Sequence, residues 1–377
     1  MLSLLQLLFW LAMGLIFYTF LGYPLLIGLL ARCLHRPVQH SAITPQATLL
    51  IPAYNEASVI ARKIENSLAL DYPPGRLEVV VITDGSDDGT VDIVAAYAGQ
   101  GVRLIHQPQR QGKAAAINRV MPLVSSQVVV FTDANAVVER TALRALVRNF
   151  ADPAIGGVAG EKQVLGAGEG LYWRYESYLK RCDSALSSVL GAAGELFAIR
   201  RCLFEPLPAD TLLDDFVISL RLVEAGWRVV YEPEAIAREK ASPTLAAEWK
   251  RRTRIAAGGF QAIRRLPGML RPTPGRLWLT WQYVSHRVLR WAVTPFLLPA
   301  VYGLNLLLLE SPFYRLLCLA QTAFYVAALL GYALARSGRR CGPLRALFYF
   351  CFSNAAALAG FWRYLTGTQS VTWAKAR

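Results

Sequence analysis

Three features of the sequence predict an α/β domain tied to a membrane by apolar helices. Short Val/Ile/Leu runs alternate with helix-compatible stretches between residues 41 and 241, an uncharged segment runs from Leu2 to Ala31, and further uncharged segments lie beyond residue 290. Alternating strand and helix argue for a parallel-type sheet, whose ligands bind beyond the carboxyl ends of its strands. The chain has 377 residues, 54% of them hydrophobic, and this apolar excess over an ordinary soluble domain is concentrated towards its two ends.

Residues 1–32 form the first element. The run Leu2–Ala31 exceeds the roughly 20 residues a helix needs to cross a hydrocarbon core of about 30 Å. No basic residue precedes it and no small-residue cleavage site stands before Arg32, so it reads as a retained anchor and not as a cleaved leader. In residues 41–241, Ala47–Ile51, Leu77–Thr83, Val102–His106 and Val128–Thr132 read as buried strands. Glu169–Ser188 reads as a helix whose Tyr172, Trp173, Tyr175 and Tyr178 pack inward, and Asp214–Ala225 as another, stopped by Gly226.

After Ser242 the alternation ends. Residues 242–290 carry Trp249, a basic run from Lys250 to Arg254, and then Trp278, Trp281 and Tyr283, a mixture suited to amphipathic helices in a membrane interface. Residues 291–366 supply three further spans, Trp291–Leu309 (kinked at Pro295 and Pro299), Leu316–Ala335 and Ala346–Trp362, which makes about four in all. Arg32 and Arg36 after the first span, and Arg336, Arg339, Arg340 and Arg345 between the last two, place those loops and the α/β domain on the cytoplasmic side; Lys375 and Arg377 run against that count. The expected location is an inner membrane of a bacterium.

The net charge of +14 does not point to nucleic acid, because much of it falls between Lys250 and Arg290, where anionic lipid headgroups are the simpler partner. The six cysteines have no paired spacing, which argues against a disulfide framework or a zinc site.

The polar motifs sit where a sheet of this kind binds ligands. Pro52-Ala53-Tyr54-Asn55-Glu56 ends the first strand, and Thr83-Asp84 with the glycine-rich turn to Thr90 ends the second. Asp133-Ala134-Asn135 ends the fourth, and two oxygen-bearing side chains one residue apart can face one hard cation, although an Asx turn uses the same residues. Lys113 follows a glycine at a helix start, where an ammonium and free N–H groups can meet phosphate. Asp214-Asp215 opens a helix; adjacent carboxylates suit general-base work and also favour a helix N-terminus.

Taken together and in order, PAYNE, TDGSDDGT, QGKAAAIN, FTDAN, GAAGELFAIRR and LLDDFVISLRL resemble the inverting family 2 glycosyltransferases, and within them the membrane-integrated branch of cellulose, chitin, hyaluronan and poly-N-acetylglucosamine synthases. The resemblance covers about Ala47 to Gly259. It implies a GT-A (Rossmann-like) fold for residues 41–241 and a nucleotide diphosphate sugar as donor, a UDP-sugar being favoured. It further implies Pro52, Ala53, Tyr54, Glu56, Asp84 and Lys113 around the nucleotide, and Asp133 with Asn135 on a Mg²⁺ or Mn²⁺ ion. Asp133 also touches the nucleotide, Glu195 lines the acceptor side, and Asp215, with Asp214 beside it, is the catalytic base.

Processive members carry a Gln-x-x-Arg-Trp signature, and the matching stretch here is Arg251-Arg252-Thr253-Arg254-Ile255. Arg254 keeps the diphosphate clamp, while Ile255 replaces the tryptophan that stacks on the acceptor. The expected function is therefore inverting sugar transfer to a lipid-linked or polysaccharide acceptor at the cytoplasmic face, with a processive, polymer-secreting synthase as the alternative. A transporter is disfavoured because the uncharged runs carry no acid or base. A catalytically silent subunit is disfavoured because every acidic motif is present.

Overall fold

The computed structural model describes residues 2–165, 170–339 and 342–372, in two compact units: Ile27–Ala241 with Leu266–Leu279 and Ser370–Arg377, and Met1–Leu26 with Ser242–Arg265 and Thr280–Gln369. The first unit is built on one eight-stranded sheet of β1 (Ala47–Ala53), β2 (Leu77–Asp84), β3 (Val102–Gln107), β4 (Val128–Phe131), β5 (Val137–Val138), β6 (Ile155–Leu165), β7 (Phe197–Arg200) and β8 (Arg228–Lys240), in the order β3-β2-β1-β4-β7-β6-β8-β5. The four expected strands all form. β1 is buried along its whole length, as a strand covered on both faces must be, and it pairs in parallel with β2 and β4.

The other half of the sheet departs from the all-parallel expectation. β7 runs antiparallel to both β4 and β6, whereas β6 and β8 are parallel. Glycine is the reason β6 escapes a reading by hydrophobic runs. A Cβ built on Gly156 would lie 2.7 Å from Trp227 Cβ, and one on Gly160 would lie 2.7 Å from the Ala235 carbonyl oxygen, so close packing here excludes the branched residues that normally advertise a strand. At the antiparallel seam Phe131 stacks on Phe197 at 4.5 Å.

Helices Gly170–Leu186 and Asp214–Glu224 match their expected positions, with Glu169 lying outside the described residues. Gly226, at φ 96°, stops the second: its N–H reaches the Val223 carbonyl while Trp227 N–H reaches that of Leu222.

In the second unit, the amphipathic stretch becomes helix Leu245–Arg265 and, later in the chain, a π-helical Val284–Val293, while the helix Leu277–Tyr283 before it begins in the first unit. Small residues let helices close up: a Cβ on Gly360 would meet Ala256 Cβ at 2.6 Å, and one on Gly259 would strike the Trp291 ring. Tyr283 is fully buried and Trp281 donates to Tyr18 Oη, so these two aromatics serve packing, while Trp278 is exposed.

Among the described residues three helices, not four, are long and apolar enough to cross a membrane: Ser3–Cys33, Pro312–Arg336 and Leu344–Leu365. The stretch expected as a fourth forms helix Thr294–Leu306, whose 13 residues rise only about 20 Å. The π-helical turns before it carry Arg287 and Arg290. Arg340, Cys341, Lys375 and Arg377 lie outside the described residues.

Candidate active site

The strand ends of β1, β2 and β4 bring the predicted motifs together in the first unit. Pro52 and Ala53 are still buried strand residues, and the loop proper begins at Tyr54. Asn55, held at φ 53°, clasps the neighbouring loop: its Nδ2 donates to Asp87 Oδ1 at 2.7 Å, its Oδ1 accepts from Asp87 N–H, and its own N–H donates to Ser86 Oγ. Glu56 N–H donates to Thr90 Oγ1 and Ala57 N–H to Asp88 Oδ2. The Arg110 guanidinium lies 3.5 Å over the Tyr54 ring.

Asp84, the last residue of β2, is 3% exposed. Its Oδ2 accepts from the N–H groups of Gln111 (2.9 Å) and Gly112 (2.6 Å), and its Oδ1 faces Arg119 at 3.3 Å. It thereby holds the turn that opens helix Lys113–Val120. Gly112 sits at φ 98°, and a Cβ there would come 3.5 Å from Val371, so the segment after the last span adjoins this turn.

Lys113 is the hub. Its Nζ lies 2.9 Å from Asp133 Oδ1 and 3.2 Å from Asp214 Oδ2. Burial alone would lower its pKa, but the carboxylates of Asp133, Asp214 and Asp215 outweigh that and hold the ammonium well above its usual value. Asp214 is 5% exposed, and among the described residues its Oδ2 has the Lys113 ion contact but no hydrogen bond. Asp215 accepts from Phe216 N–H through Oδ1, and burial, together with the charge of Asp214, pushes its pKa up to about 7 against the pull of Lys113. Over the hub, Gly194 leaves room where a Cβ would sit 3.2 Å from Asp133 Oδ2 and 3.3 Å from Lys113 Nζ.

A strand-end cluster of lysine and three aspartates on a mixed sheet of this order invites comparison with known sugar transferases. Residues 45–258, more than half of the chain, match the model of the glycosyltransferase-like family 2. The chain belongs to that family. It is 29% identical over 236 residues to the probable glycosyltransferase YdaM of Bacillus subtilis (58% of this chain, 56% of that protein). It is 27% identical over 230 residues to the poly-beta-1,6-N-acetyl-D-glucosamine synthase of Staphylococcus aureus (58% and 55%). The chain spans little more than half the length of these curated relatives. Among solved structures, the mannosyltransferase PcManGT of Pyrobaculum calidifontis, in complex with GDP-Man and Mn²⁺, aligns with a TM-score of 0.71 and 26% identity over 96% of this chain and 100% of that one. The family 2 domain is thus a GT-A fold.

Among the described residues no group of three or more His, Cys, Asp or Glu side chains is placed to hold a metal ion by itself. A hard divalent ion of the Mg²⁺ type takes one or two protein oxygens and completes its shell with phosphate and water. The Asp133 carboxylate lies beneath the space left by Gly194, and Asn135 follows it by two residues in the same turn.

Asn135 Nδ2 donates to Glu239 Oε1, Glu239 Oε2 pairs with Lys162 Nζ at 2.7 Å, and Lys162 also pairs with Glu195. Glu195 therefore joins the predicted site through a buried lysine. Below it, Lys63 donates to Thr132 Oγ1 and to the Ala136 carbonyl, its pKa lowered to about 7 by burial, with Asp133 opposing. Sequence reasoning missed Lys63, Lys162 and Glu239, because single charged residues inside a helix or strand carry no spacing signal. Arg254 lies in the second unit, on helix Leu245–Arg265, where Arg251 and Arg252 both pair with Glu248.

Proposed function

We propose that this family 2 enzyme transfers a sugar, with inversion, from a nucleoside diphosphate donor to a lipid-linked or polysaccharide acceptor at the cytoplasmic face of a bacterial inner membrane. The observation that carries the reading is the Lys113–Asp133–Asp214–Asp215 cluster at the carboxyl ends of the parallel strands. Asp215 takes the proton of the acceptor hydroxyl, whose oxygen forms the new bond to the anomeric carbon as the bond to the diphosphate breaks on the opposite side. Asp215 needs a pKa near neutrality for this, and its buried position beside Asp214 supplies it. Lys113 Nζ stands between Asp133 and Asp214, in ion-pair contact with both. Asp133 and Asn135 would hold a Mg²⁺ or Mn²⁺ ion, which when bound neutralises charge on the departing diphosphate.

The loops at Tyr54, Glu56 and Asp84 are the nucleotide side of the site, and Glu195 the acceptor side. The motif resemblance favours a UDP-sugar, while the GDP-Man bound by PcManGT puts a guanosine donor beside it. Incubating the chain in lipid with UDP- and GDP-sugars, and scoring nucleoside diphosphate release, tests the reading; no release from any donor, with acceptor lipids present, rejects it. The poly-N-acetylglucosamine synthases among the relatives support a second reading, a processive synthase that secretes its polymer.

A further inference from the structure

Asn135 differs from an aspartate at that place in one way that matters to a cation. A carboxylate presents oxygen whichever way it turns, whereas a carboxamide presents oxygen on one side and an NH₂ donor on the other. The two orientations have nearly the same shape, so packing alone selects between them weakly. An NH₂ group turned towards a cation repels it.

Glu239 resolves that ambiguity. Its Oε1 accepts the Asn135 Nδ2 hydrogen bond at 2.5 Å, a contact that only the nitrogen end of the amide can make with a carboxylate. Its Oε2 is held in turn by Lys162 Nζ at 2.7 Å, and Lys162, 5% exposed, is braced from its other side by Glu195. The backbone places the pair as well: Val137 is in register with Arg238 between β5 and β8, which sets the Asp133–Asn135 turn beside Glu239. A relay from Glu195 through Lys162 to Glu239 thus ends on the amide nitrogen of one asparagine, leaving its oxygen to point elsewhere.

We propose that Glu239 is a positioning residue for cation binding: it fixes the Asn135 carboxamide with the oxygen towards the metal, and so makes an asparagine do the work of an aspartate. The inference rests on the reading of Asp133 and Asn135 as the cation site. Orienting partners of this kind contribute roughly 10- to 100-fold to metal affinity.

The test uses Mn²⁺ titrated into the full-length chain in detergent, with UDP or GDP present, followed by loss of the free-ion electron paramagnetic resonance signal. Glu239→Ala is expected to weaken Mn²⁺ binding by about tenfold or more. Glu239→Gln, which keeps an acceptor oxygen for the amide, is expected to bind more tightly than Glu239→Ala. The deciding variant is Glu239→Ala combined with Asn135→Asp, where the carboxylate needs no orienting partner. Its Mn²⁺ affinity is expected to return at least to that of the unaltered chain. A residue that merely braces the fold would leave the double variant as weak as the single one, and that outcome, or full affinity in Glu239→Ala, overturns the proposal while leaving the cation site standing. If the unaltered chain takes up no Mn²⁺ with either nucleotide, the cation site itself fails and the inference with it.

Discussion

An aspartate that accepts a proton from an alcohol near neutral pH must be far from its ordinary pKa of 3.8, and Asp215 reaches about 7 because ionising it beside Asp214, away from water, is unfavourable. Asp215→Asn keeps the shape and loses the proton acceptor. Turnover is expected to fall by roughly 10²-fold or more, with nucleotide binding retained; a purified variant with a tenth or more of normal kcat rejects the assignment. The base acts only when unprotonated, so kcat is expected to climb as pH rises through about 7 and then level off, and the residual rate of Asp215→Asn should lack that limb. The raised pKa also means that the folded chain binds this proton more tightly than the unfolded one. Its contribution to stability is accordingly present at low pH and lost as pH rises from 3.8 through about 7. Asp133, Lys113, Asp214 and Asp215 were legible in the sequence because each stands at a strand or helix terminus beside residues of matching chemistry. Lys63, Lys162 and Glu239 were not, since what makes each matter is a partner that folding brings from far along the chain, 69 positions away for Lys63 and Thr132.

The helix Asp214–Glu224 has to hold Asp215 in place, and it is seated by a contact far away in the chain. Gly191 stands at φ 101°, and a Cβ there would run into the Phe216 ring, the side chain next to Asp215. The N–H of Ala192 also donates to Ser219 Oγ on the same helix. Gly191→Ala combines a disfavoured backbone angle with a steric clash, an expected loss of about 1–3 kcal/mol in stability. Because the ring must move and Asp215 with it, kcat should fall in the fraction that remains folded; a variant with normal kcat and normal melting temperature would show that the helix does not depend on this seat. At this scale the strands β1 to β4 announce themselves as branched apolar runs, while β6 hides behind the glycines that let β8 approach it. The antiparallel β7 is four residues long and follows a glycine-rich loop, so neither its pairing partner nor its direction could be read from periodicity.

For the molecule as a whole, the open question is how many sugars are added per encounter, and the answer turns on helix Leu245–Arg265. The Gln-x-x-Arg-Trp signature that the motif resemblance implies for processive synthases puts a tryptophan after the arginine, and the apolar C–H face of a sugar would bury surface against such a ring and so slow release. Here the position is Ile255, and the nearest tryptophan on the same helix, Trp249, is engaged edge-on with Phe352 at 5.3 Å. The glutamine of the signature is Arg251, whose added charge is met within the helix by Glu248, held down to about 2 by Arg251 and Arg252 in spite of its burial. The departure from the signature is therefore a settled local arrangement and not a damaged one. The expected outcome is distributive addition: with acceptor in large excess, mainly singly extended product, which sizing of the products by mass spectrometry would show. Ile255→Trp should shift the distribution towards longer chains. If the unaltered enzyme leaves most acceptor untouched while making a few long chains, the aromatic platform is dispensable and the polymer-secreting reading takes its place.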